Sequence, residues 1–130
     1  PDAATLQEDS NLGRLKISIV DGDTDGDGDL DELFTFGSRS FSTWSTSGQL
    51  LFDSGDDFEQ ITAQVLPDFF NAAEDENEFD KRSDDRGPEP EGLAVGKLYG
   101  QHYAFVTFER IGGVIVYDIT DRKRPVFSNT

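Results

Sequence analysis

Residues 21–32 read Asp-Gly-Asp-Thr-Asp-Gly-Asp-Gly-Asp-Leu-Asp-Glu, seven carboxylates in twelve positions. Neither a helix nor a strand tolerates that mixture of glycine and aspartate. The segment is therefore a loop, and its charge density calls for a cation. The spacing fits Ca²⁺, which gathers about six to eight oxygens from carboxylates at loop positions 1, 3 and 5, a carbonyl at 7 and further oxygens at 9 and 12. Counted from Asp21, those positions are Asp21, Asp23, Asp25, the carbonyl of Asp27, Asp29 and Glu32. Gly26 then stands at position 6, where the turn is sharpest. A frame counted from Asp23 puts Gly28 at the turn but leaves Phe34 where the last acid belongs, so the frame from Asp21 is preferred. The alternative is a solvated acidic turn without metal.

The flanks decide what kind of loop this is. Upstream, Leu15-Lys-Ile-Ser-Ile-Val20 alternates apolar and polar residues, and downstream 33–44 is rich in aromatics and threonine. Both patterns favour strands. A metal between two strands stiffens a connection, whereas an EF-hand sensor needs two helices to open. The expectation is a strand, a calcium loop and a strand, with a structural or site-assembling role.

Eleven basic residues against 27 acidic ones give a net charge of −16. Such a chain repels nucleic acid and anionic membranes. No stretch resembles a signal peptide or a membrane span. With no cysteine, disulfides and thiolate chemistry are excluded and the redox compartment is unreadable. The calcium pattern speaks instead for an extracellular, periplasmic or cell-surface location, where Ca²⁺ is plentiful enough for weak sites. A chain starting at Pro1 is expected to be a mature form or an excised fragment.

The organisation reads as a lead-in or linker over 1–11, a β unit over 12–52, a helix and acidic loop over 53–91 and a second β unit over 92–130. In the first unit Thr46-Ser-Gly48 turns the chain into a strand at 49–52. Ser54 followed by Asp57 resembles a capping box before a short amphipathic helix that puts Phe58, Ile61, Val65 and Leu66 on one face and ends at Pro67. In the second unit, strands are expected at 92–96, 103–108, 113–119 and 125–127. Both units contain an aromatic-x-x-x-x-Arg core, Phe34 with Arg39 and Phe105 with Arg110 opening comparable runs. A repeat of antiparallel hairpins suggests about two β-propeller-like blades, too few to close a ring. The partners expected are the remaining blades of a larger propeller or other copies of the chain. The plainer alternative is an independent β sandwich with one helix.

Five ordered segments carry a family resemblance: 21–31, Phe36-Gly-Ser-Arg-Ser-Phe-Ser, Phe52-Asp-Ser-Gly-Asp-Asp-Phe-Glu-Gln-Ile, Ser83-Asp-Asp-Arg-Gly-Pro-Glu-Pro-Glu-Gly92 and Glu109-Arg-Ile-Gly-Gly-Val. From about Leu12 onward the chain resembles the choice-of-anchor I proteins, secreted or surface-anchored bacterial propellers often labelled alkaline phosphatase-like. The resemblance implies a domain several times longer than this chain. It also implies a possible phosphate-ester substrate, with Ca²⁺ and channel-facing carboxylates bridging phosphate.

From the residues themselves, the prolines of 87–92 fix an extended path that puts Glu89 and Glu91 on one side of the chain, as metal ligands or base. Asp84 and Asp85 could add ligands. Arg39, Arg86 and Arg110 could grip phosphate in a fork, Arg39 and Arg110 being the favoured clamps. The alternatives are solvated glutamates on a rigid turn and arginines paired with neighbouring acids. His102, expected at a turn tip, lacks the surroundings of a catalytic triad. Trp44, Phe41 and Tyr117 are expected in the core.

Overall fold

The computed structural model describes residues 2–128; residues 1, 129 and 130, at the edges of the lead-in and the second β unit, lie outside it. The chain is mainly β, in two antiparallel sheets. After the short helix α1 (Ala3–Leu6), strands β1 (Ser42–Trp44) and β2 (Leu50–Asp53) form a hairpin. Helix α2 (Asp57–Val65) and a 3-10 turn (Pro67–Phe69) follow. A four-stranded meander ends the fold: β3 (Pro90–Leu98), β4 (Gln101–Phe108), β5 (Val114–Asp118) and β6 (Val126–Phe127), in that order across the sheet. Neither sheet closes on itself.

The alternation of residues 103–119 is what builds the meander. Val106 pairs with Leu93 and Ile115, and Ala104 with Val95 and Tyr117, so these side chains share one face. That face takes the core: Val106, Phe108, Ile115 and Tyr117 pack with Phe41 and Phe58. Phe58 is fully buried, 4.9 Å edge-on to Phe108, and Phe41 lies 4.7 Å from Tyr117 between ring centroids. The Tyr117 hydroxyl reaches the Asp57 carboxylate at 3.0 Å, and burial, then that carboxylate, pushes its pKa up. The opposite face presents Leu98, Phe105, Val114, Val116 and Val126, and among the described residues no element packs over it; Leu98, Val114 and Val126 are at least half exposed.

Several expectations change here. Residues 15–20 and 33–41 form no strands beyond one bridge, Ile17 with Thr35. Their β propensity lacks a sheet to pack on: Ile19, Val20, Leu33, Phe34 and Phe36 are all exposed. The first β unit is thus a two-stranded hairpin, unlike the second.

Helix α2 is present, but the capping box is not. Asp56 is the N-cap and its side chain makes no capping bond, while the Ser54 hydroxyl accepts the Phe41 amide at 3.0 Å. The helix buries Phe58 and Thr62, leaving Val65 and Leu66 exposed. Trp44 is also exposed, its indole N–H donating to Ser42 Oγ at 2.7 Å, whereas Phe41 and Tyr117 are core. His102 lies within β4; Tyr99 and Gly100 make the tip.

Replacing Phe58 with Ala empties the point where helix and both hairpins meet, so a loss of about 3–5 kcal/mol is expected. Val65→Ala, on the exposed side, should cost under about 1 kcal/mol. Urea unfolding of both variants checks the difference.

Candidate functional site

The acidic loop folds on its own backbone. Asp31 and Glu32 amides donate to the Gly22 carbonyl at 2.9 and 3.1 Å, which closes its neck. Gly22 has a φ of 101°, and a Cβ there would lie 2.2 Å from the Glu32 carbonyl oxygen, so glycine is required. Inside, Asp23 accepts the Gly26 amide at 2.6 Å and the Gly28 amide at 3.1 Å. Asp25 and Asp27 each accept the amide two residues on. Their geometry brings the carboxylates of Asp23, Asp25 and Asp27 within 4.8 Å of one another, all exposed.

Asp21 is turned away to Ser18 Oγ at 2.7 Å. Asp31 is held by the Thr24 hydroxyl and amide, which together keep its pKa below the ordinary range. Asp29 and Glu32 do not join the three-carboxylate group. Of the six ligand positions counted from Asp21, the loop therefore assembles the middle ones, and the grouping is that of the frame counted from Asp23.

A second cluster lies under residues 71–87. Asn71, fully buried with φ 44°, donates from Nδ2 to Glu59 Oε1 and to Ser83 Oγ, both at 2.8 Å. Its backbone carbonyl accepts the Arg82 amide at 2.9 Å. Glu59, on helix α2, also takes Arg39 Nη1 at 2.7 Å, and Arg39 reaches on to the Asp85 carbonyl at 3.2 Å. Gly87 passes so close that a Cβ would meet Glu59 Oε1 at 2.9 Å and Arg39 Nη1 at 3.2 Å.

Glu89 is the centre of this cluster. It is 6 % exposed and bonded by Arg82, with Arg110 Nε at 3.2 Å and Arg86 Nε at 3.5 Å. Burial alone would raise its pKa, but hydrogen bonds from Arg82 and Arg110 outweigh that and hold it below the ordinary value. Glu109, which shares a hydrogen bond with Glu89, is pushed up by that contact. Arg110 also pairs with Glu74. Asp85 binds Lys16 at 2.9 Å, the main reason its pKa is lowered, and Arg82 at 2.9 Å. Asp84 pairs with Arg14.

Glu89 and Glu91 do line one cleft of about 190 Å³ with Gly37, Ser38, Arg86 and Glu109. The path between them is not the straight extended one expected. Glu89 has a φ of 53° and β3 bulges at Pro90–Gly92, so Glu89 turns inward and Glu91 stays exposed. Sequence reasoning missed Arg82, Glu59, Asn71 and Glu109. The spacing of Arg82, Asp85 and Glu89 at steps of three and four was the available signal; nothing local marked Glu59.

With this geometry in hand, the choice-of-anchor I domain matches residues 1–122. The chain belongs to the choice-of-anchor I family. It is 34% identical over 119 residues to Gigasin-3a of Magallana gigas, an alignment covering 87% of this chain and 42% of that protein. It is 30% identical over 145 residues to the Mesenchyme-specific cell surface glycoprotein of Strongylocentrotus purpuratus, covering 99% of this chain and 19% of the relative. This choice-of-anchor I chain thus spans less than half the length of either relative. No solved structure matches it at a significant level. Among the described residues no helix is long and apolar enough to cross a membrane.

The lowered pKa of Glu89 has a definite sign. A depressed carboxyl adds stability above its ordinary value of 4.5 and loses it as pH falls through the folded value. Glu89→Gln should flatten the acid limb of thermal stability below that pH. At neutral pH it should cost on the order of 3 kcal/mol, since Arg82 and Arg110 lose their buried counter-charge. Melting temperatures of both proteins across pH check this.

Proposed function

We propose that this chain is a calcium-stabilised segment of an extracellular β-propeller scaffold and that it is not a complete catalytic unit. The observation that carries the reading is the neutralisation of the candidate catalytic charges. Arg39 is engaged by Glu59 and Arg110 by Glu74 and Glu89, so neither presents a free fork to a phosphate. Glu89 faces three guanidinium groups, which repel a metal ion from it. Of the four residues, only Glu91 stays outside this network of ion pairs.

A four-stranded antiparallel meander is the strand set of one propeller blade. Its uncovered face and the exposed Ile19, Val20, Leu33, Phe34 and Phe36 supply apolar surface for neighbouring blades to cover. The greater length of both relatives leaves room for those blades in a longer protein. The cell-surface designation of one relative and the millimolar Ca²⁺ outside cells support an extracellular setting. In the loop, Asp23, Asp25 and Asp27 are the residues that would hold Ca²⁺, which would supply the missing counter-charge and lock the turn.

The rival reading is metal-assisted phosphoester hydrolysis with Glu89 and Glu91 as ligands or base. It requires a Ca²⁺-loaded longer protein that hydrolyses phosphate esters faster than its Glu89→Gln, Glu91→Gln variant.

Calorimetric titration with Ca²⁺, with melting temperature followed in parallel, tests the scaffold reading. Saturable binding with a dissociation constant of about 10⁻⁴–10⁻³ M is expected, and a melting temperature that rises with Ca²⁺. Asp25→Asn and Asp27→Asn should each abolish the rise, and Glu32→Gln should weaken it less. Absence of binding to the unsubstituted chain would overturn the calcium role.

A further inference from the structure

Four basic residues stand out in a chain of net charge −16. Of the eleven lysines and arginines, Lys97, Arg122, Lys123 and Arg124 make no ion pair among the described residues. All four are exposed. They also share one end of the meander: β3 ends at Leu98 and β4 starts at Gln101, while β5 ends at Asp118 and β6 starts at Val126. Two hairpin tips therefore sit side by side, β3 and β5 being separated by one strand, about 10 Å.

The nearby acids do not cancel this charge by pairing with it. Asp118 accepts the Thr120 amide at 2.8 Å and Gln101 Nε2 at 2.9 Å, and Asp121 accepts the Lys123 amide at 3.0 Å. His102, whose amide donates to Thr120 Oγ1 at 2.9 Å, lies cross-strand from Lys97.

One exposed aromatic ring flanks the cations. Tyr99, at the β3–β4 tip, is fully exposed. The Thr43 hydroxyl donates to the Arg122 carbonyl at 2.6 Å and so ties the β1–β2 hairpin to the basic turn.

We infer that this end of the sheet, formed by Lys97, Tyr99, Arg122, Lys123 and Arg124, binds an anionic polysaccharide. Guanidinium groups take sulphate or carboxylate oxygens in pairs. Aromatic faces accept the C–H face of a pyranose ring, being apolar at the centre and polar at the rim. A narrow polysaccharide can run along the two tips within a local positive field. A membrane plane or a long duplex would also face the acidic remainder, beyond the Debye length of about 8 Å over which the patch acts. The inference does not use calcium, so it stands or falls separately from the metal-loop reading.

The test is calorimetry of the chain with heparin and with polygalacturonate, at low and at physiological salt, with uncharged dextran as control. Saturable binding to at least one polyanion, weakening with salt, is expected, and none to dextran. Binding to heparin alone identifies sulphate as the recognised group, and binding to polygalacturonate as well identifies charge in either form. The variant Arg122→Ser, Lys123→Ser, Arg124→Ser should lose about tenfold in affinity or more, a change of about 1.4 kcal/mol per tenfold. Tyr99→Ala and the milder Lys123→Ser should each lose roughly threefold. A charge-matched variant, Arg14→Ser, Lys16→Ser, Lys81→Ser, should stay within about twofold, its cations being paired already. Thermal unfolding of each variant confirms that it is folded. The inference is overturned if neither polyanion binds at low salt or if the charge-matched variant loses as much as the turn variant. It is also overturned if the turn variant keeps its affinity, or if anionic vesicles or single-stranded DNA bind more tightly than either polysaccharide.

Discussion

The Glu59 carboxylate, shared between Arg39 and Asn71, is the contact on which the rest of the arrangement depends. It joins three separate stretches: the lead into β1 through Arg39, helix α2 on which it sits, and the acidic segment through Asn71. Asn71 then passes the constraint to Ser83 and Arg82, and Arg82 to Asp85 and Glu89. Gly87 is the space this network needs, because any side chain there would strike Glu59 and Arg39. A segment poor in apolar residues is thereby ordered by hydrogen bonds and ion pairs in place of a hydrophobic core. Such a network is costly to interrupt, since each member relies on its neighbour for neutralisation.

The aromatic core sits directly against this network through helix α2. Phe58 and Glu59 are adjacent, one facing the core and the other the charges, so the helix is held from both sides. The helix is short and has no side-chain cap. Isolated helices of that length are marginal in water, and here packing and the Glu59 contacts supply what propensity does not.

The meander was legible in the sequence because its signal is local. The alternation across 103–119 and the glycines around it place β4 and β5 within a residue or two. Helix α2 was legible for the same reason, through Phe58 and Ile61. The expected strands at 15–20 and 33–41 failed because β propensity records a fit to a packed pleated surface, and here that surface is absent. The candidate site was legible by residue type and not by partnership. Arg39, Glu89 and Arg110 stand out as charges, but what neutralises them lies far off in sequence, Arg39 bonding to a carbonyl 46 residues away. Glu91 and Glu89 were read as equivalent because the positive φ at Glu89 leaves no mark in composition.

Two ways of handling negative charge coexist in this choice-of-anchor I chain. Around Glu89 the acids are matched by arginines from the same fold, so the interior is neutral without help. In residues 21–32 no basic residue is supplied, and among the described residues the donors to Asp23, Asp25 and Asp27 are the backbone amides of Gly26, Gly28, Asp27 and Asp29. Amides of this kind set the positions of carboxylates but carry no net charge to offset them. The neck of the loop rests on two bonds to one carbonyl, two from Thr24 to the Asp31 carboxylate and a single bridge. Repulsion among the three carboxylates therefore acts on an exposed loop, and a divalent cation bound there would convert the same geometry from repulsive to attractive. Loop and cluster thus differ in one respect: around Glu89 the fold supplies its own counter-charges, and in residues 21–32 the described residues supply none.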